Sequence, residues 1–250
     1  MQHLDLFSGI GGFALAARWA GFETVAFCEC DPFCQGVLRK HWPTAQIQDD
    51  VRNVDGRDYR GVELISGGYP CQPFSVAGER RGTEDDRHLW PEMRRIIGEA
   101  RPAWVIAENV LGHVSMGLDE VLHDLEAEGY AARALVIPAC AADAPHQRDR
   151  LWILAHAAGA GPHAGAQARV HSSQEGARAR HGEPKRRARW GAEPYVARVV
   201  DGIPTGMDRA RIKALGNAIV PQVAFELLRT MATYNAELTG DEAGRPKASG

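Results

Sequence analysis

The chain has 250 residues, enough for one α/β core with a modest appendage or for two small domains, and a single principal core is expected. With 44% hydrophobic and 24% charged residues and no apolar run long enough to cross a bilayer, the composition is that of a soluble globular protein and excludes a membrane-spanning helix. The net charge of -3 does not advertise a nucleic-acid binder, yet it averages two unlike parts: residues 157–190 carry seven Lys or Arg against Glu175 and Glu183, a local +5, and the remainder carries -8.

Met1 runs straight into HLDLFSGIGG, without a basic region, an extended apolar stretch or a small-residue cleavage site. No secretory signal is read, and cytoplasmic residence is the expectation. Five unevenly spread cysteines, Cys28, Cys30, Cys34, Cys71 and Cys140, do not form a disulfide framework and are expected as thiols. Cys28, Cys30 and Cys34 lack the second cysteine pair or His-x3-5-His partner of a familiar zinc pattern, so no metal is expected.

In chain order, residues 3–8 predict a short buried strand. Gly9, Gly11 and Gly12 turn it into the helix FALAARWA, stopped by Gly21. The strand TVAFCE follows, then Asp31 and Pro32 as cap and first position of a helix reaching about His41. A third strand ends at Asp50, and the alternation continues with strand VELIS, a long polar loop, a helix over residues 91–99, strand AWVIAEN and a helix over 118–128. Such alternation predicts a mostly parallel sheet with helices on both faces. RALVIPA and RLWILAHA are strands separated by too few residues for a crossover helix, which predicts an antiparallel pair at one end. Residues 157–196 lack apolar periodicity and read as a loop-like insert. Helical periodicity returns at 207–213 and in AIVPQVAFELLRTMATY, before a polar tail, 237–250, predicted to be mobile.

Several residues converge on the carboxyl ends of the strands. The glycine turn lets backbone N–H groups approach a ligand, although a tight turn needs glycine in any case. Glu29 stands where a carboxylate could take two ribose hydroxyls, and Asp50 where one could accept from adenine; ordinary capping or turn work is the alternative. Cys71, in GGYPCQPFS, follows a strand and sits between prolines, which suits a positioned nucleophile more than a packed core thiol. Glu108, in ENV, shares that edge. Arg148 and Arg150 alternate in HQRDR and so could face one site, or remain solvated charges.

Taken in order, DLFSGIGG, CECD, DDV, GGYPCQPFS, ENV, QRDR and ALGNAIVPQVAFEL resemble the cytosine-C5 DNA methyltransferase family over about residues 3–155 and 197–232. The resemblance implies a Rossmann-like α/β methyltransferase fold with S-adenosylmethionine as cofactor. It implies a catalytic and cofactor-binding domain over 1–156 and 197–236, with 157–196 as a short target-recognition insert. It places the cofactor near Phe7, Ser8, Gly9, Gly11 and Gly12, with Glu29 at the ribose, Cys30, Asp50 and Val51 at the adenine, and Leu89 and Asn217 lining the pocket. Cys71 becomes the nucleophile that adds to C6 of a flipped cytosine, Glu108 the residue at N3 and the amine, and Arg150, with Arg148, the contact to O2. Gln72, Ser75, Arg80 and Arg81, in a loop running to His88 and including Arg87, would cover the flipped base, with a solvated surface loop as the alternative reading. Arg186 and Arg187 would neutralise phosphates.

The partner so implied is double-stranded DNA, with no metal and no membrane, acting on a monomer, in a setting such as restriction-modification or a prophage. An RNA cytosine methyltransferase and a catalytically idle DNA-binding subunit are the alternatives; the intact set of Cys71, Glu108, Arg148 and Arg150 speaks against the second. Three positions depart from the family's pattern: Cys30 replaces an aromatic residue that stacks on adenine, His146 stands where glutamine is frequent, and the recognition segment is much shorter than usual.

Overall fold

The computed structural model describes residues 1–70, 89–157 and 205–239. Cys71, Gln72, Ser75, Arg80, Arg81 and Arg87, Arg186 and Arg187, nearly all of the predicted insert and the tail beyond Thr239 lie outside the described residues.

Seven strands form one sheet: β1 (Gln2–Leu6), β2 (Glu23–Cys28), β3 (Gln46–Gln48), β4 (Leu64–Gly67), β5 (Trp104–Val110), β6 (Tyr130–Ile137) and β7 (Arg150–Ala157), in the spatial order β3-β2-β1-β4-β5-β7-β6. The helices are α1 (Gly12–Trp19), α2 (Pro32–His41), α3 (Trp90–Ala100), α4 (Leu118–Ala127), α5 (Thr205–Asn217) and α6 (Pro221–Thr239). The first five strands run parallel, and β7 is antiparallel to both β5 and β6. This is the mostly parallel Rossmann-like sheet expected. The reversed strand, however, is the inner one of the predicted pair: the chain passes through α4 to the edge at β6, and the β6–β7 return fills the slot beside β5.

Central strands buried on both faces need apolar residues at successive positions, and Leu64–Ile65 and Val105–Ile106 supply them, alternating between the two faces. Ile65 and Val105 join Leu4, Leu6 and the Met93, Ile96 and Ile97 stripe of α3 in one layer. Leu64 and Ile106 meet Phe13, Ala16 and Ala17 of α1 and Val223, Ala224, Leu228 and Met231 of α6 in the other. The small side chains of α1 let α6 lie close against it.

Some boundaries differ from the sequence-based expectation for local reasons. β1 stops at Leu6 because Phe7 turns to φ +54, and β6 stops at Ile137 because Pro138 has no N–H for the ladder. β6 starts three residues earlier than expected, at Tyr130, directly after Gly129 at φ +88. α5 is longer than its predicted core at both ends, and α6 carries two residues past the predicted start of the tail.

Beneath the site, a polar chain crosses the centre of the sheet. Ser66 Oγ donates to Asp5 Oδ1 at 2.6 Å and accepts from His3 Nε2 at 2.8 Å, while His3 Nδ1 accepts from Thr24 Oγ1 at 2.9 Å. Burial lowers His3 to about 3, keeping it neutral, and raises Asp5 to about 8, so its carboxyl keeps its proton at neutral pH. A folded value above the unfolded one makes this stabilisation complete below about pH 4 and lost as pH climbs through about 8. Asp5→Asn, which keeps the acceptor and cannot ionise, is expected to remove the fall in urea midpoint between about pH 7 and pH 8, above the range in which the depressed His3 adds an opposite slope. An unchanged slope would show that Asp5 does not titrate in this window.

Candidate active site

The turn after β1 is wound by residues of positive φ: Phe7 at +54, Gly9 at +53 and Gly11 at +85. For an aromatic residue this conformation is costly, and Phe7 is held in it by packing against the apolar layer that contains Val51 and Leu89. Ser8 is buried and knits the turn to its neighbours: its hydroxyl donates to Asp5 O at 2.7 Å, and its N–H donates to Cys28 O at 3.1 Å. Ser8 thus shapes the turn, and its hydroxyl does not face an open site. A Cβ on Gly9 would meet nothing within 4 Å, whereas one on Gly11 would lie 2.7 Å from the Trp42 ring and one on Gly12 2.7 Å from Ile219 Cγ1. Gly11→Ala is therefore expected to lower stability by about 2–4 kcal/mol, combining left-handed strain with overpacking against an indole, as read by chemical denaturation. A loss below about 1 kcal/mol would mean that the ring moves aside freely.

Glu29 follows β2 and locks the turn from the other side. Its Oε2 accepts from Gly9 N at 2.7 Å and its Oε1 from Asp31 N at 2.8 Å. One lone pair on each oxygen is left over, a fork able to accept from two vicinal hydroxyls. Asp31 caps α2 through Phe33 N at 2.9 Å, as predicted, and Asp50 caps the short turn Val51–Asn53 through Arg52 N at 3.0 Å. Asp50 therefore does the turn work anticipated for it and keeps its second oxygen toward Arg52 at 3.5 Å. Cys30 is exposed beside Glu29.

At the carboxyl end of β5, Glu108 is 8% exposed and its Oε1 accepts from Arg150 Nε at 2.9 Å. Arg150 opens β7 opposite Val110, two residues along β5 from Glu108, so both side chains share a face of the sheet. Burial outweighs the nearby positive charges of Arg150 and Arg148 and raises the carboxyl of Glu108 to about 7. Gly68 passes beside this carboxylate, three residues before Cys71: a Cβ there would be 3.7 Å from Glu108 Oε2.

The two arginines do not take equivalent places. Arg148 lies outside β7 at φ +40, which breaks the extended alternation that would align it with Arg150. Its Nη2 donates to Gly216 O at 2.7 Å and to Ala218 O at 2.9 Å, gripping the loop on either side of the exposed Asn217. Lys213 Nζ lies 3.3 Å from Asp31 Oδ2, and Ile219 sits over Gly12, so α5 and the following loop are tied to the cap of α2, to the glycine turn and to Arg148. A cavity of about 680 Å³ is lined by Gly11, Gly12, Trp42, His146, Arg148 and Ile219 among others, and by neither Glu29 nor Asp50.

Cys28 and Cys34 are buried, with thiols pushed up to about 12 and about 11 by burial and by the neighbouring carboxylate of Glu29. Neither is an activated nucleophile. Among the described residues no cluster of three or more His, Cys, Asp and Glu could hold a metal, and no helix is long and apolar enough to cross a membrane. Sequence reasoning missed Tyr69, His113, Trp90 and Asp124. Tyr69 Oη and His113 Nε2 are 2.7 Å apart, the Tyr69 and Trp90 rings are 5.1 Å apart, and Trp90 Nε1 donates to Asp124 Oδ2 at 2.8 Å. The only hint was an aromatic residue two positions before Cys71.

Known proteins are similar to this chain in sequence and fold. A type II methyltransferase of Psychrobacter sp. (strain TA137), M.PspPI, is 40% identical over 159 residues, covering 60% of this chain and 38% of the relative. M.NgoMIV of Neisseria gonorrhoeae is 42% identical over 110 residues, covering 44% of this chain and 35% of the relative, so the chain spans well under half the length of these two curated relatives. Among solved structures, a candidate DNA modification methyltransferase from an E. coli prophage superposes with TM-score 0.55 at 25% identity, covering 63% of this chain and 47% of that one. Dnmt2 of S. pombe, at 22% identity and TM-score 0.55 over 63% of this chain and 51% of its own, shares the fold. The family model for C-5 cytosine-specific DNA methylase matches residues 1–186, most of the chain, and the chain belongs to that family.

Proposed function

We propose that the chain transfers a methyl group from S-adenosylmethionine to C5 of cytosine in double-stranded DNA, with Cys71 as nucleophile. The observation that carries this reading is the buried Glu108–Arg150 pair, its carboxyl raised to about 7, at the strand edge from which the chain leads through Gly68 toward Cys71. The cofactor fits: Glu29 keeps two lone pairs for the ribose hydroxyls, Gly9 leaves open space for close backbone approach, and Asp50 retains acceptor capacity for an adenine amine. When bound, S-adenosylmethionine supplies an electrophilic methyl group on a sulfonium.

C5 of cytosine becomes nucleophilic only after addition at C6 breaks the aromatic ring. As the Cys71 thiolate adds there, negative charge runs toward N3 and O2. Glu108, protonated at neutral pH about half of the time, gives its proton to N3, and Arg150 faces O2. The resulting enamine takes the methyl group at C5; loss of the C5 proton to solvent, departure of Cys71 as thiolate and return of the N3 proton to Glu108 restore the neutral ring and the acid. A stacked base cannot offer C5 and C6 at once, so the target nucleotide must be flipped out of the duplex. Residues 157–196, with Arg186 and Arg187, are taken to meet phosphates as a short target-recognition segment between the two parts of the catalytic domain. We take the protein to work as a monomer in the cytoplasm.

Incubation with labelled S-adenosylmethionine and unmethylated duplex DNA, followed by bisulfite sequencing, tests the reading. Label at cytosine C5 is expected; label on transfer RNA instead would move the substrate to RNA, and silence on both would leave an idle binding subunit.

A further inference from the structure

Two bonds hold the last described residues before Cys71. Asn109 Nδ2 donates to Tyr69 O at 3.2 Å, while Asn109 Oδ1 accepts from Val110 N at 2.8 Å, so the amide next to Glu108 is spent on the backbone of Tyr69. The Tyr69 hydroxyl meets His113 Nε2 at 2.7 Å in a buried contact between residues 44 apart in the chain. His113 belongs to the tight turn Leu111–Ser115 that follows β5, and its ring rests on Gly117, where a Cβ would come within 2.9 Å of Cε1. Both rings are walled in: Tyr69 is 3% and His113 8% exposed, and Tyr69 also lies edge-on to His113 and tilted on Trp90. The bond thus ties the strand-end segment that leads to Cys71 onto the same β5 extension that carries Glu108.

Resting on the reading above, we propose that the Tyr69–His113 hydrogen bond is a positioning contact, fixing the backbone at Tyr69, two residues before Cys71 in the sequence, relative to Glu108 so that attack on C6 and proton delivery to N3 occur on one bound base. Neither residue touches the base; each acts through the backbone that bears a reacting group. Side-chain packing alone would tolerate loss of the hydroxyl, because phenylalanine fills the same ring site. Geometric coupling would not, since small misplacement of reacting groups is amplified in rate.

The test compares wild type, Tyr69→Phe, His113→Gln and the double variant in single-turnover methyl transfer to duplex DNA. Tyr69→Phe is expected to slow transfer about tenfold, with less than about twofold change in KM for DNA and cofactor and a melting midpoint lowered only by the loss of one buried hydrogen bond. His113→Gln, which returns a polar group near the Nε2 position, is expected to keep most of the rate, and in the double variant that advantage vanishes because no hydroxyl remains to receive it. A Tyr69→Phe protein transferring at the wild-type rate would overturn the positioning role while leaving the methyltransferase reading intact. Equal slowing by independent factors in the double variant would overturn the coupling of the pair. A wild-type chain that methylates no cytosine would overturn the reading, and the inference with it.

Discussion

Cys71→Ala is expected to abolish methyl transfer to background while leaving cofactor and DNA binding within about twofold of wild type, because the variant removes the bond-forming sulfur and little else. Three of the four described thiols, Cys28, Cys30 and Cys34, are poor replacements for it. Cys28 and Cys34 are buried and held protonated, and Cys30, though exposed at the surface, is itself raised by partial desolvation and by Glu29. Serine at position 71 should not rescue, since an alkoxide is far harder to form at neutral pH than a thiolate. The check is label transfer to duplex DNA beside cofactor binding by calorimetry. Residual transfer above about one part in a hundred in the alanine variant would place the nucleophile elsewhere.

Glu108→Gln is expected to lower kcat about a hundredfold to ten-thousandfold, the range for losing a positioned proton donor. Glutamine keeps the volume and can still meet Arg150, so the fold should survive. The pH dependence gives the sharper sign. The folded carboxyl titrates near 7, and the protonated form is the one that can give a proton to N3. On the wild-type kcat/KM profile this predicts a limb that falls as pH rises through about 7, against the rise that thiolate formation at Cys71 brings. In Glu108→Gln the falling limb should vanish and the rising one remain. If both proteins show the same fall, another group is the acid.

Much of the scaffold was legible in the sequence because local chemistry forced it. Gly9 and Gly11 adopt the positive φ that a strand-to-helix turn demands, Asp31 and Pro32 start α2, and two-faced strands such as VELIS and AWVIAEN carry the apolar runs of a buried parallel sheet. The slot of β7 was not legible, since periodicity tells that a strand exists and is silent on its neighbours. Arg148 shows a second kind of limit. Alternation along HQRDR presumes extended backbone, and a single residue at φ +40 sends one arginine to the loop at Asn217 and leaves the other on Glu108. Tyr69 and His113 escaped for the plainest reason: a contact spanning 44 residues leaves no trace in local spacing.

The packing of α6 against α1 bears on the order of events during synthesis. Phe13, Ala16, Leu64, Ile106 and Trp152 are all made early, yet their common layer is completed by Val223, Ala224, Leu228 and Met231. Trp104 Nε1 likewise donates to Asn235 at 2.8 Å, and Arg148 needs the carbonyls of Gly216 and Ala218. A nascent chain halted before residue 205 therefore lacks the α6 side chains of that layer and the two carbonyls that hold Arg148. Such contacts between distant stretches are slow to assemble and leave the growing chain prone to aggregation until its last helix arrives. Truncation before α6 is therefore a folding lesion before it is anything else.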